Sequence, residues 1–216
     1  MAEIEIGRGK RGRVAYSLDE VAIAPSRRTR DADEVSTAWQ IDAYRFDAPV
    51  MAAPMDSVVS PESAIALGHL GVPAVLNLEG LWTRYADPAP QLEEIRRAPA
   101  HEATAVLQRI YGAASVDEAL VAERVAQIRD AGVTVAVGVS PQTAAHLAPV
   151  AVAAGIDLLV IRGTTVSAEH VSTGDAPLNL KTFIYDLEVP VIVGGCVTYQ
   201  AALHLMRTGA AGVLVG

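Results

Sequence analysis

The sequence predicts an α/β protein built as a (β/α)8 barrel, truncated here after its sixth strand. Three observations lead to that fold class. Short apolar runs of strand length alternate with helix-length stretches that open on capping residues and close on glycine. The runs are apolar at successive positions, as parallel strands covered on both faces require. They recur at close to the roughly thirty residues per unit that a (β/α)8 chain of about 250 residues implies.

Composition agrees. The 216 residues are 51% hydrophobic and 19% charged, and mean hydropathy is +0.28, which excludes a disordered or nucleic-acid-coating chain. With 2 Trp, 6 Tyr and 2 Phe, the core must be filled by Ala, Val, Leu and Ile, which suits helices packed on a parallel sheet. The single cysteine, Cys196, excludes a disulfide framework and a multi-cysteine metal site, and fits a reducing compartment. The first residues are acidic and lack an apolar signal core, and no run is long enough to span a bilayer. These features predict a cytoplasmic protein.

Residues 1–47 read as an arm and barrel-floor segments, and residues 48–216 as the incomplete barrel, with an insertion at about 80–114. Residues 1–30 carry seven Lys/Arg against four acids, a local +3 in a chain of net charge −8. An acidic body repels a phosphate backbone, so the arm reads as solvated or subunit-bridging rather than nucleic-acid-binding. Gly7, Gly9 and Gly12 have the spacing of a dinucleotide fingerprint. No apolar strand precedes them and no helix opening follows, so the match reads as chance.

Pro49–Pro54 is the first expected strand. Ser60, Pro61 and Glu62 then supply an N-cap, a proline at the first helical position and an acid facing the helix dipole. Pro73–Leu78 is the second strand. After it Ala86–Pro90 breaks the chain, and Gln91–Arg97 and Glu102–Tyr111 form two short helices of the insertion, on the face where barrel active sites lie. Ser115 to Glu118 has capping-box spacing and opens a helix that should stop at Gly132. Thr134–Val139 is the third strand, and Ser140 with Pro141 starts a helix closed by Gly155. Asp157–Ile161 is the fourth strand, and Val189–Val193 the fifth, ending in Gly194 and Gly195. Thr198 caps a helix whose Ala202, Leu205 and Met206 share a face and which ends at Gly209; Gly212–Gly216 is the sixth strand. Val213–Val215 carries no polar tail, so two further βα units are expected beyond Gly216. The 216-residue polypeptide alone is then expected to be inactive and poorly soluble, with open sheet edges and an uncovered apolar interior.

Polar residues at the carboxyl ends of barrel strands are the functional candidates. Met55 and Asp56 end the first strand, and Asn77 and Glu79 the second; Asp56 and Glu79 also suit capping and loop roles. Arg162, Gly163 and Thr164 end the fourth, where an arginine either pairs with a phosphate or carboxylate or reaches solvent. Gly194 and Gly195 permit close approach of a ligand or a tight turn. Cys196 begins a βα loop, but no histidine neighbours it in sequence as a base, which favours a structural thiol over a nucleophile. Gly138-Val-Ser140 lacks the closing glycine of a nucleophile elbow, so Ser140 reads as an N-cap. His69, His101, His146, His170 and His204 show no metal spacing, and there is no P-loop.

Several strings together suggest a family. Tyr16-Ser-Leu-Asp-Glu-Val-Ala-Ile-Ala-Pro25-Ser-Arg27 resembles the opening of the IMP dehydrogenase/GMP reductase family, and Val50-Met-Ala-Ala-Pro-Met55-Asp56-Ser-Val58 resembles its first barrel strand. Pro190-Val-Ile-Val-Gly-Gly195-Cys-Val-Thr198 and Thr208-Gly-Ala-Ala-Gly-Val-Leu-Val-Gly216 are similar to the stretch that precedes its catalytic loop. Pro25–Arg30, Val35–Gln40 and Leu178–Phe183 resemble the IMP-dehydrogenase-related branch found in actinobacteria, which lacks the regulatory CBS insertion, as this chain does.

The resemblance implies a (β/α)8 enzyme, usually a homotetramer, acting at C2 of a purine nucleotide monophosphate (IMP, GMP or XMP) with NAD or NADP. It places the catalytic cysteine on a loop beginning just after Gly216, and Cys196 where the family has an Asn, so no catalytic residue is expected within the chain. Met55 matches a residue that packs against the purine; Asp56, Asn77, Glu79, Gly194, Gly195 and Cys196 complete the expected substrate-binding set. Arg162, Gly163, Thr164 and Gly216 are the expected cofactor-binding set. Arg162 stands where the family carries an Asp meeting the cofactor ribose, Ala53 replaces a Ser near the nucleotide phosphate, and Asn77 and Glu79 stand where the dehydrogenases have His and Asn. These departures admit an alternative, an inactive nucleotide-binding or assembly protein of the same fold; the fold alone also allows a phosphate-handling lyase or isomerase.

Overall fold

The computed structural model describes residues 3–24, 27–164, 166–168 and 178–216. Pro25 and Ser26 of the strings read above, and His170 among the histidines, lie outside the described residues. The chain opens with an antiparallel hairpin of β1 (Glu3–Gly7) and β2 (Lys10–Arg13). The glycine string of the arm is its turn, with Gly9 at φ +71°, and no strand-to-helix crossing is formed there. A second antiparallel hairpin, β3 (Trp39–Ile41) and β4 (Tyr44–Phe46), follows.

Among the described residues five parallel strands form the central sheet: β5 (Val75–Asn77), β6 (Ala136–Val139), β7 (Leu158–Arg162), β8 (Val191–Cys196) and β9 (Gly212–Val215). Their spatial order is β5-β6-β7-β8-β9, identical to their order in the chain. A doubly wound sheet reverses direction at a switch point; this one does not, and consecutive pairing is the order of a barrel wall. Among the described residues seven α-helices accompany the strands: α1 (Pro61–His69), α2 (Ala89–Arg97), α3 (Ala103–Ala113), α4 (Glu118–Asp130), α5 (Ala144–Ala154), α6 (Leu180–Asp186) and α7 (Tyr199–Met206).

Strand parity sorts the core into two layers. Val135, Val137, Val139, Leu159, Ile161, Val191 and Val193 join helix residues such as Val121, Val125, Ile128 and Leu147 in one cluster. The alternate residues, Val75, Ala136, Leu158, Val160 and Ile192, form a second cluster on the inner face of the sheet. Gly138 lies in register with the inner set, and a Cβ there would stand 2.9 Å from Pro54. Glycine at that point lets the segment after Met51 pass across the inner face.

The β3–β4 hairpin is fastened to the amino ends of the strands. Tyr44 donates from its hydroxyl to Asp157 (3.0 Å), and the other Asp157 oxygen accepts from the Val135 amide (2.8 Å). The Asp47 amide donates to the Gly71 carbonyl (3.1 Å), and Ile41 packs on the inner cluster.

Three local expectations are corrected. Pro49–Pro54 is no continuous strand: it contributes one parallel bridge, Ala52 to Ala74. Its flanking prolines have no amide to give a ladder, and only the Ala52 amide, to Pro73 (3.0 Å), and the Ala52 carbonyl, from Val75 (3.0 Å), connect it to β5. The helix expected from Ser115 is capped by Asp117, whose carboxylate accepts from the Ala119 amide (2.8 Å). The helix expected from Ser140 begins at Ala144, because the Ser140 side chain is engaged elsewhere. Ser60 and Thr198 cap α1 and α7 as their sequences predict, accepting from Ser63 and Ala201.

Candidate functional site

The carboxyl ends of the strands form a rim built from consecutive loops. At the β5 end, Asn77 turns its side-chain oxygen onto the Glu79 amide (3.0 Å). The Glu79 carboxylate crosses to the end of β6 and accepts from the Ser140 amide (2.5 Å) and hydroxyl (3.0 Å). This contact is why Ser140 does not cap α5. Glu79 thus ties two neighbouring strand ends together.

Asp56 sits one loop earlier. One of its oxygens accepts from the Leu81 amide (2.9 Å) and from the Tyr111 hydroxyl. The other is buried without a hydrogen-bond partner among the described residues. Tyr111 belongs to α3, so the carboxylate joins the segment after the Ala52 bridge to the helices between β5 and β6. Arg84 completes the tie: it donates to the carbonyls of Glu79 (3.0 Å), Tyr111 (3.1 Å) and Ala114 (2.5 Å), and lies 5.7 Å from the Tyr111 ring centroid. Met55, beside Asp56, is exposed.

At the other side of the rim, Arg162, Gly163 and Thr164 continue from β7. Arg162 follows Leu158 and Val160 at the inward parity and is exposed, with no side-chain partner among the described residues. The Gly163 amide donates to Gly194 (2.9 Å) and the Gly195 amide to Gly163 (3.0 Å), while Gly216 donates to Cys196 (3.0 Å). The ends of β7, β8 and β9 are therefore three adjacent rungs. Cys196 is 3% exposed, and its thiol donates to the Leu214 carbonyl (3.3 Å). The β8–β9 register shifts between Val193 and Cys196, and the side chain joins the helix-side cluster. Cys196, expected from the family likeness to lie in the substrate-binding set, has its thiol packed with the helix-side core.

The structure thus gathers Asp56, Asn77 and Glu79 in one half of the rim, and Arg162, Gly163, Thr164, Gly194, Gly195 and Gly216 in the other. Sequence reading missed Tyr111 and Arg84, and misassigned Ser140. The signal available for the first two was their place in the long segment between β5 and β6, which does not fit the βα repeat. No group of three or more His, Cys, Asp or Glu among the described residues is placed to hold a metal ion.

Tyr111 makes the rim sensitive to alkali. Burial first, then the hydrogen bond to Asp56 and that group's charge, raise its phenol above the ordinary value near 10. The unfolded chain then loses this proton at lower pH than the folded one. Its contribution to stability is complete below about pH 10 and declines above it. Burial and Asp157 raise Tyr44 in the same direction. Tyr111→Phe should cost about 1 kcal/mol at neutral pH and flatten the alkaline decline. Urea unfolding midpoints followed from about pH 8 to about pH 11 check this; an unaltered alkaline slope would remove Tyr111 from the effect.

The sequence model of the IMP dehydrogenase / GMP reductase domain matches residues 15–216. The chain belongs to the IMP dehydrogenase/GMP reductase family. Among its relatives, an uncharacterized oxidoreductase of Mycolicibacterium smegmatis is 55% identical over 218 residues, covering 99% of this chain and 58% of that protein. One of Mycobacterium leprae is 56% identical over the same extent. The crystal structure of an IMP dehydrogenase/GMP reductase-like protein from Corynebacterium glutamicum matches with a TM-score of 0.89 at 48% identity, covering 99% of this chain and 57% of that one. The chain therefore spans 58% of the length of these curated relatives, and its five-stranded wall is part of the family's (β/α)8 barrel. Among the described residues no helix is long and apolar enough to cross a membrane.

Proposed function

We propose that the whole protein is a nicotinamide-dependent oxidoreductase acting at C2 of a purine nucleotide monophosphate, working as a cytoplasmic homotetramer. One observation carries the reading: Arg162–Thr164, Gly194–Cys196 and the Gly216 end lie as neighbouring rungs at the carboxyl face of the sheet. These are the segments for which the family likeness expects cofactor contact, nucleotide contact and the start of the catalytic loop. The relatives' description as oxidoreductases supports the same reaction class.

The residues present fit a phosphate-bearing cofactor. The Arg162 guanidinium is exposed and without a side-chain partner among the described residues, and its planar donor fork matches phosphate oxygens. With the Thr164 hydroxyl it would hold the ribose and phosphate end of the dinucleotide. An arginine in place of the family's Asp suits NADP, whose additional phosphate it would neutralise. The bound nicotinamide supplies or accepts the hydride. Met55 offers the purine an exposed apolar surface, and Gly194 and Gly195 let the β9 end lie directly against β8. The departures at Arg162 and Ala53 keep a second reading in view, a nucleotide-binding protein of this fold without turnover.

The test is direct. The whole protein is incubated with IMP plus NAD and, separately, with GMP plus NADPH, and the absorbance of the reduced cofactor is followed. Rising absorbance identifies IMP oxidation, and falling absorbance GMP reduction. Nucleotide binding by calorimetry with silence in both assays would replace the oxidoreductase by the binding protein.

A further inference from the structure

We propose that Tyr111, from the insertion between β5 and β6, is a positioning residue for the nucleotide site, acting through Asp56 on the Met55 turn. The inference rests on the reading of Met55 as a purine contact. Its physical basis is a part-buried carboxylate, one oxygen of which is fully buried, with few alternatives. Asp56 has one oxygen bonded to the Leu81 amide and the Tyr111 hydroxyl and the other unpartnered among the described residues. A buried charged oxygen without donors is costly, so removing one of its two donors gives the side chain reason to leave its place. Met55 is its chain neighbour. Its carbonyl closes a tight turn by accepting from the Val58 (2.9 Å) and Val59 (2.8 Å) amides, and its own amide donates to Ala53 (2.8 Å). Movement of Asp56 is therefore transmitted to Met55 within one peptide unit.

Tyr111 is itself fixed. Arg84 holds its carbonyl, lies over its ring and reaches back to the Glu79 carbonyl. The Tyr85 hydroxyl holds the preceding carbonyl, Ile110, at 2.7 Å. A segment serving only as a cover would need apolar contact. This one, besides burying Ile110, places a phenol on the part-buried Asp56 carboxylate at the rim.

The experiment compares Tyr111→Phe with Tyr44→Phe in the whole protein. Tyr44 makes a hydroxyl-to-carboxylate bond of the same kind, to Asp157 (3.0 Å), at the opposite end of the sheet. Two readouts are taken. Amide hydrogen exchange at Val58 and Val59, without ligand, should quicken by about tenfold in Tyr111→Phe and stay unchanged in Tyr44→Phe. Titration with IMP and with GMP should show affinity weakened about fivefold to twentyfold by Tyr111→Phe alone, with kcat altered less than KM if turnover is present. Unchanged exchange at the Met55 turn, or equal loosening by Tyr44→Phe, overturns the positioning role whatever the protein binds. Quickened exchange with unaltered nucleotide affinity overturns the link to the site. If the wild-type protein binds neither nucleotide, the functional reading falls, and the exchange result still decides whether Tyr111 positions Met55.

Discussion

Gly194→Ala is expected to destabilise the protein by about 3 kcal/mol, at the upper end of the usual cost of overpacking. The added Cβ would stand 2.5 Å from the Leu214 Cβ and 2.7 Å from the Leu214 carbonyl oxygen. The obstacle is largely backbone, so no side-chain rotation relieves it. Nor can β8 retreat freely, because the Gly194 carbonyl accepts from Gly163 (2.9 Å) on the other side. Either β9 moves out or the β7–β8 rung opens. For a barrel of this size the change corresponds to a fall in Tm of about 6–12 °C, measurable by calorimetry. An unchanged Tm would mean that the three strand ends are far looser than their hydrogen bonding indicates.

Arg124→Met should cost about as much, roughly 3 kcal/mol, for a different reason. Arg124 lies on α4 and is only 8% exposed. It donates to the carbonyls of Trp82 (3.1 Å) and Ala86 (2.6 Å), and to the Glu123 carboxylate (2.9 Å). Glu123 is mostly exposed, so that ion pair contributes little. The two carbonyls matter more: they belong to the stretch that leads from β5 to α2, and the half-buried Trp82 carbonyl loses its donor at a cost of about 1–3 kcal/mol, while that of exposed Ala86 turns to water. Methionine keeps most of the volume, so a cavity does not account for the loss. Arg124→Lys should recover only part of it, since one ammonium cannot reproduce the fork. Urea unfolding checks both variants; a Met variant within about 0.5 kcal/mol of wild type would show that water replaces the guanidinium.

The wall of the barrel was legible in the sequence because its signals are local. Apolar runs, the Ser60 and Thr198 caps and the closing glycines each act within one turn or one strand. They located β5 to β9 and the helices between them, and the pattern of polar residues after each apolar run placed Asn77, Glu79 and Arg162 at the carboxyl ends of strands. What escaped depends on contacts between distant segments. Pro49–Pro54 has the apolar character of a strand, but its prolines leave it one bridge. Ser115 and Ser140 have the chemistry of N-caps, yet Asp117 is better placed for the first helix, and Glu79 engages Ser140 across 61 residues. Tyr111 reaches Asp56 across 55 residues, a pairing that no periodicity announces. Cys196 depended on a register shift, invisible in composition, that turned its thiol toward the helices.

The two indoles are placed so that each end of the barrel carries its own fluorophore. Trp39 sits in the floor hairpin, its ring nitrogen on the Ala48 carbonyl (2.5 Å) and its ring tilted 37° against Phe46 at 5.0 Å. Trp82 stands on the short turn after β5, packed against the helix-side core, with Arg124 on its carbonyl. The chain holds 2 Trp, so single Trp→Phe replacements separate the two optical signals. Light emitted from this chain then distinguishes events at the carboxyl ends of the strands from fraying at their amino ends, without an attached dye.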